Sequence, residues 1–373
     1  MGNHLTKFIV CLLLGGFPFR TFSQGREMQI AVILPFCSEM SNAELTKKKL
    51  GLVQKSSVEY YQGILMAMDS LKKIGFKAKV KVYDTNKDSL TIVHFFGLPE
   101  MKEMDLIVGP IFKEGIEIAA GRCKEMQVSH ISPTISMNKP IRSPYLIKPN
   151  PEPSAYAISL AKYLKQTNAD TARINLISDG KKIDKAFTPV FKQWIDSLCG
   201  PNVFTKTTLS KDLNLQDISQ SLRGNILVMP INDDAVVNRL MKTLREPEFP
   251  VSVVGFESWL DFKTNDYDRW EKYKVHILSS FYVNFGQQHN FRFSYHEKYK
   301  TEPTELVYKG FDQLFYFGKL MLDNSSSWPE YIETGSETMH NSFMFEQDVQ
   351  TENWVNKSVR ILKFENYILS KVK

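Results

Sequence analysis

Short apolar runs alternate along the chain with longer stretches in which apolar residues recur every three or four positions. The first run, Gln29-Ile30-Ala31-Val32-Ile33-Leu34-Pro35, is almost wholly apolar and ends in proline. It predicts a strand covered on both faces. The polar stretch 38–55, with Lys47-Lys48-Lys49, reads as an exposed loop. Ser56-Ser57-Val58-Glu59 has the Ser-x-x-Glu form of a capping box. It predicts the start of a helix whose apolar face carries Val58, Tyr61, Ile64, Leu65, Met68, Leu71 and Ile74, ending at Gly75. Residues 78–83 alternate lysine with valine and predict a strand near a sheet edge. Residues 90–104 read as a weaker helix broken by Gly97 and Pro99, 105–110 as a buried strand, 111–126 as a helix, and 128–131 as a strand. Strands alternating with helices call for a parallel sheet with helices on both faces.

The pattern then restarts. Pro149, Pro151 and Pro153 suit a stiff crossover between domains. Helices are expected at 154–165, 185–198 and 233–244, the last opened by Asp233 and Asp234, whose charge suits a helix N-terminus. Strands are expected at 172–178, 203–208, 225–230 and 250–255. Beyond Gly255 the pattern is less regular: a strand at 276–283, helices at 291–300 and 306–322, a loop at 324–327, and strands at 342–346 and 357–364.

The length of 373 residues suffices for two domains. With 43% apolar and 24% charged residues the composition is that of a globular chain, which excludes extended disorder. At the N-terminus, Lys7 precedes the apolar stretch Phe8–Phe17, too short to cross a bilayer, and Thr21-Phe22-Ser23 places small residues before a cut after Ser23. Residues 1–23 therefore read as a secretory signal. Cys11 does not sit in a lipidation pattern. Removing Lys7 and Arg20 lowers the net charge from +6 to +4; that excess is spread along the chain, and no nucleic-acid partner is expected. Cys37, Cys123 and Cys199 remain, an odd number, so at least one thiol stays unpaired within the chain.

Motifs for familiar chemistries are missing. There is no phosphate loop, dinucleotide turn, His-Glu-x-x-His, Cys-x-x-Cys or Gly-x-Ser-x-Gly. No enzyme activity, metal or other cofactor is expected. What remains are polar loops just after buried strands, where open parallel sheets bind ligands. They are Phe112-Lys113-Glu114, Ser132 to Ser136 with Thr134, Asp179-Gly180-Lys181, and Glu257-Ser258. The hydroxyls of Thr134 and Ser136 can donate and accept, Glu257 can meet a cation, and Tyr282 can supply an aromatic wall. Lys113, Thr134, Ser136, Asp179, Glu257 and Tyr282 are the candidate ligand-binding residues.

The order of elements resembles the type I periplasmic-binding family of branched-chain amino-acid-binding proteins and receptor ligand-binding domains. The matching segments are Ile30-Ala31-Val32-Ile33-Leu34-Pro35, Tyr61-Gln62-Gly63-Ile64, Leu106-Ile107-Val108-Gly109-Pro110, Ile131-Ser132-Pro133-Thr134, Tyr145-Leu146-Ile147-Lys148 and Lys309-Gly310-Phe311-Asp312. The resemblance covers about residues 28 to 370. It implies an α/β fold of two doubly wound parallel-sheet lobes joined by three crossovers. Lobe 1 is expected over 28–147 plus 257–330 and lobe 2 over 148–256 plus 331–373. The implied function is an exported solute-binding protein, periplasmic or secreted, monomeric or weakly dimeric. It closes on a small polar ligand, an amino acid or something peptide-like, for uptake or sensing with a membrane permease or receptor. Ser136 falls near the family's amino-group-binding hydroxyl and Glu257 near its acidic partner. Phe112-Lys113 stand where amino-acid binders usually carry serines, and Lys182-Ile183-Asp184 replace a usual tyrosine-glycine. The alternative is an envelope module that regulates cell-wall assembly through protein contacts, without a small ligand.

Overall fold

The computed structural model describes residues 26–133, 140–167, 172–200, 204–211, 224–244, 250–282 and 289–372. The expected signal segment 1–23 lies outside them. Two seven-stranded sheets organise the chain. The first has the spatial order 345–347, 354–356, 146–148, 129–131, 106–108, 28–34, 78–84. The second has the order 368–371, 360–365, 276–279, 251–256, 225–228, 173–178, 204–209. Most neighbours are parallel; antiparallel pairs occur at the 345–347, 360–365 and 368–371 margins.

Alternation along the buried strands explains the layers. In strand Met28–Leu34, Ile30, Val32 and Leu34 enter one core with the helices Gly51–Lys73 and Glu305–Asn324, while Ala31 and Ile33 enter another with the helices Ser89–Phe96 and Lys113–Met126. The second sheet is covered in the same way. Leu176, Val228 and Leu278 pack with the helices Pro153–Gln166 and Lys182–Cys199. Ile177, Leu227, Val253 and Ile277 pack with Trp259 and Trp270. Both faces of the central strands of both sheets are thus dry, as the continuous apolar runs require.

The chain passes between the sheets three times: after 146–148, after 276–279, and between 354–356 and 360–365. These crossings fall elsewhere than the boundaries expected at 257 and 331. Strand His276–Ser279 pairs with Val254–Phe256 and with Arg360–Lys363, so 257–279 stays with the second sheet. Residues 345–347 and 354–356 extend the first sheet beyond Leu146–Lys148. Backbone pairing decides this, and a hydrophobic pattern cannot report which edge a short strand joins.

The stretch 38–55 is also more ordered than a loop. Ser41 caps a short helix, Asn42–Lys47: its hydroxyl accepts from the Glu44 amide, and the Glu44 carboxylate accepts from the Ser41 amide, a true capping box. The long helix already begins at Gly51. Ser57 is therefore interior to it and buried, donating to the carbonyls of Val53 and Pro35 at 2.8 and 3.0 Å. Residues 325–334 form a 3-10 helix that takes in most of the loop expected at 324–327, and Ile368–Lys371 forms an additional edge strand.

Candidate functional site between the sheets

The carboxyl ends of the second sheet's strands carry the densest polar network. Strand Val251–Phe256 runs into the 3-10 turn Glu257–Asp261. Gly255 permits that turn: a Cβ there would lie 2.5 Å from the ring of Trp259, whose indole N–H donates to the Ile231 carbonyl at 2.8 Å. The turn presents Glu257 beside the end of strand His276–Ser279. Its Oε1 accepts from the Tyr156 hydroxyl at 3.0 Å. Its Oε2 accepts from the Ser280 amide at 2.7 Å, the Ser280 hydroxyl at 2.8 Å and the Ser279 hydroxyl at 3.3 Å. Burial, and then the Glu257 charge, push the Tyr156 phenol well above its ordinary range, so it stays a donor.

The first turn of the helix Glu305–Asn324, which packs in the first lobe, faces this network. Lys309 pairs with Glu305 and holds its ammonium 5.8 Å from the ring centre of Phe281. Asp261 senses the same turn: burial and then the Glu305 charge raise its carboxyl above the ordinary value, with Lys309 acting in the opposite direction. Three carboxylates and one ammonium therefore lie where the two lobes meet.

Asp179 belongs to a neighbouring network. Its Oδ1 accepts from the Lys181 amide at 2.9 Å, and the Lys181 ammonium lies 2.8 Å from Asp233 and 4.0 Å from Asp179. Buried Asp184 holds the turn from below, accepting from the Gly180 amide at 2.9 Å and from the hydroxyls of Ser178 and Thr188. Ser258 bonds Asn232 at 2.5 Å, tying the loops after adjacent strands together.

On the first sheet, Gly109 has a φ of +93°, and a Cβ there would meet the Ile33 carbonyl at 2.3 Å, so the Gly109-Pro110 turn demands glycine. His130 bonds the Gly109 carbonyl at 2.7 Å through Nε2, and burial lowers its pKa to about 4. Lys113 is half-buried at the first position of its helix. Thr134 and Ser136 lie outside the described residues. Tyr282 does not stand with the polar cluster: its ring packs on the second lobe's core, and its hydroxyl donates to the Leu369 carbonyl at 3.4 Å.

The structure thus surrounds Glu257 with Tyr156, Ser279 and Ser280, none of which was singled out from sequence. Tyr156 is 101 positions away, and no local spacing signals such a contact. Among the described residues no group of three or more histidines, cysteines or acids is placed to hold a metal ion. No disulfide joins Cys37, Cys123 and Cys199. No helix of the described residues is long and apolar enough to cross a membrane.

No family model matches the sequence, and no curated protein matches it. Solved structures do. A putative branched-chain amino acid ABC transporter from Rhodospirillum rubrum is 11% identical with a TM-score of 0.69, over 93% of this chain and 100% of that one. The LpoA (YraM) C-domain from Haemophilus influenzae, described as a regulator of PBP1A, is 12% identical with a TM-score of 0.61, over 92% and 100%. An ABC transporter substrate-binding protein from Desulfitobacterium hafniense, in complex with Leu, is 13% identical with a TM-score of 0.58, over 93% and 100%. At these identities the likeness is one of fold: the chain has the type I periplasmic-binding fold.

Proposed function

We propose that the protein is an exported solute-binding protein that closes its two lobes on a small polar ligand bearing an amino group, such as an amino acid or short peptide. It would deliver that ligand to a membrane permease or a receptor. The observation that carries the reading is that Glu257 hydrogen-bonds Tyr156, which also feels the charge of Glu305, while Glu305 pairs with Lys309 and raises the carboxyl of Asp261, so acids of both lobes lie near one another at the lobe border. A ligand cation seated there offsets the repulsion among the carboxylates. Closure is favoured only by contacts the ligand makes better in the closed state, and acids contributed from both lobes meet that condition. Lys113 and Asp179, which follow strands of the two lobes, are proposed as further contacts, together with Thr134 and Ser136.

A second reading has its own support. Glu257 already accepts four hydrogen bonds from its own chain, so it needs no ligand to be satisfied. The fold is shared with a cell-wall synthase regulator's domain. In that reading the protein is an envelope interaction module without a small ligand.

Mass spectrometry of small molecules released from freshly purified protein, followed by thermal shifts with amino acids and short peptides, separates the two. A solute-binding protein yields a bound ligand and gains about 2.7 kcal/mol at a hundredfold excess over Kd, and Glu257→Gln removes that gain. No released ligand and no shift across the panel overturns the solute-binding reading and leaves the interaction module.

A further inference from the structure

The segment 338–344 is held from both lobes and meets all three crossings between them. From the first lobe, Asp312, buried in the helix Glu305–Asn324, accepts from the amides of Met339, His340 and Asn341 at 3.1, 2.8 and 2.6 Å and from the side-chain amide of Asn341 at 3.2 Å. Asn356, the last residue of the strand Trp354–Asn356, adds to this hold. Its Oδ1 accepts from the Met344 amide at 3.0 Å, and its Nδ2 donates to the carbonyls of Ser342 at 3.0 Å and of Pro149, in the first crossing, at 2.8 Å. At the second crossing the Tyr282 amide donates to the His340 carbonyl at 2.9 Å. The His340 ring lies between those of Phe281 and Tyr308, 4° and 2° from parallel to them. At the third, Arg360 is buried at the start of the strand Arg360–Glu365 and donates to the carbonyls of His340 and, at 2.8 Å, Asn341.

The two holds differ in kind. Asp312 makes four hydrogen bonds to the segment, and the bonds of a carboxylate are charge-assisted. Arg360 bonds two carbonyls, and each of them has another donor. The Tyr282 amide serves that of His340, and the amide and hydroxyl of Thr338, each at 3.0 Å, serve that of Asn341. Withdrawing Asp312 strips buried amides of a charged acceptor, whereas withdrawing Arg360 leaves neither carbonyl unpaired. The parallel rings add no lock, because stacked rings accept an offset of one over the next.

We propose that the segment 339–341 is a hinge clasp: it travels with the first lobe, and Arg360 is the releasable grip of the second lobe, holding the two at the angle of this structure. Turning the second lobe away about the crossings draws the guanidinium off carbonyls that keep their other donors and brings it to water. The release is therefore reversible. Hinge motions are absorbed at a few residues at the ends of elements, and Arg360 stands at such an end, directly after the third crossing. The device concerns the lobes themselves and does not depend on whether they enclose a solute or face a partner protein.

The test measures the distance between the lobes by pulsed electron resonance. Nitroxides are placed on Lys102→Cys, exposed on the first lobe, and Lys185→Cys, exposed on the second, in a chain carrying Cys11→Ser and Cys199→Ser. Arg360→Met keeps the apolar stem and removes both donors. It should widen the distance distribution relative to the parent chain, while amide exchange at 339–341 stays as slow as in the parent. Asp312→Asn should instead speed exchange at 339–341. Thermal melting checks that Arg360→Met is folded; if it is not, Arg360→Lys, which keeps one donor, must show the same widening to a smaller degree. A distribution superimposable on that of the parent overturns the proposal. So does faster exchange at 339–341 in the arginine variant, because the segment would then belong to the second lobe.

Discussion

Gly63 and Gly310 let two helices of the first lobe touch backbone to backbone. A Cβ on Gly63 would lie 2.0 Å from the Val307 carbonyl oxygen, and one on Gly310 would lie 2.1 Å from the Tyr60 carbonyl oxygen. Tyr60 closes the same contact from within, donating to Gln313 at 2.5 Å across the helix pair. Neither obstacle is a movable side-chain tip, so alanine at either position must push the helices apart. Alanine gains about 1 kcal/mol of helix propensity over glycine, but overpacking a core costs about 1–3 kcal/mol. Gly63→Ala and Gly310→Ala should each lower stability by about 1 kcal/mol net, read as a reduced urea midpoint at unchanged slope. A midpoint equal to or above that of the parent chain would show that the helices separate freely.

The second prediction concerns pH. His130 and His340 are both fully buried, and burial lowers their pKa values to about 4 and about 3. His340 lies between the rings of Phe281 and Tyr308, at 4.7 and 5.1 Å, and the charges of Lys309 and Arg360 act on it in the same direction as burial. The unfolded chain takes a proton at each histidine below about 6.5, while the folded chain refuses it. Stability should therefore fall as pH drops from about 6.5 toward 4, by up to about 2.7 kcal/mol per pH unit from the pair. Asp312 works the other way. Burial raises its pKa to about 6 from 3.8, so the folded chain binds that proton first, offsetting about half the slope between pH 6 and 4. His340→Phe preserves the stacking and should reduce the acid loss by about 1.4 kcal/mol per unit. Urea midpoints between pH 7 and 5 measure it; an unchanged slope in the variant counts against a neutral buried His340.

Arg360 supports the third prediction. It begins the strand Arg360–Glu365 of the second sheet, and its guanidinium donates to the carbonyls of His340 and, at 2.8 Å, Asn341. Those are the residues whose amides Asp312 holds from the first lobe. One short segment is thus gripped from both lobes. Lysine has no planar fork and cannot reproduce both bonds. The His340 carbonyl also accepts from the Tyr282 amide and the Asn341 carbonyl from Thr338, so Arg360→Lys should cost about 1.5–3 kcal/mol through the loss of one charge-assisted hydrogen bond, measured by denaturant unfolding. A loss below experimental error would mean that Asp312 alone fixes the segment.

The fourth prediction separates two serines. Ser41 makes the reciprocal cap of the helix Asn42–Lys47, whereas Ser56, within the helix Gly51–Lys73, occupies no cap. Ser41→Ala should cost about 1 kcal/mol of local stability and speed amide exchange across 42–47. Ser56→Ala should leave exchange at the start of the long helix unchanged. The reverse outcome would restore the capping box to Ser56–Glu59.

Much of this architecture was legible in the residues. The continuous apolar runs 29–35, 105–110, 225–230 and 250–255 named the central strands, because a strand covered on both faces has no polar side to alternate with. Acidic residues marked where a helix begins, as at Asp233, whereas Pro153, expected in the crossover, is itself the first residue of its helix. The glycine segments 61–64 and 309–312 were legible as motifs, though their meaning, the contact between Gly63 and Gly310, was not. The long helix was displaced at its start because Ser-x-x-Glu occurs twice within 20 residues, and only the geometry tells a cap from an interior serine.

The candidate site was legible at one residue in its centre, Glu257, and not in its surroundings. Tyr156, Ser279 and Ser280 reach it from two other segments, and Tyr282, a neighbour of Ser280 in sequence, turns instead to Leu369. The sequence by itself determined the strands, helices and buried faces, since side-chain period and burial are local properties of the chain. Only the tertiary structure decided which sheet received 276–279 and 345–356, and which donors met Glu257. Backbone pairing and long-range hydrogen bonds join groups whose separation along the chain leaves no periodic trace.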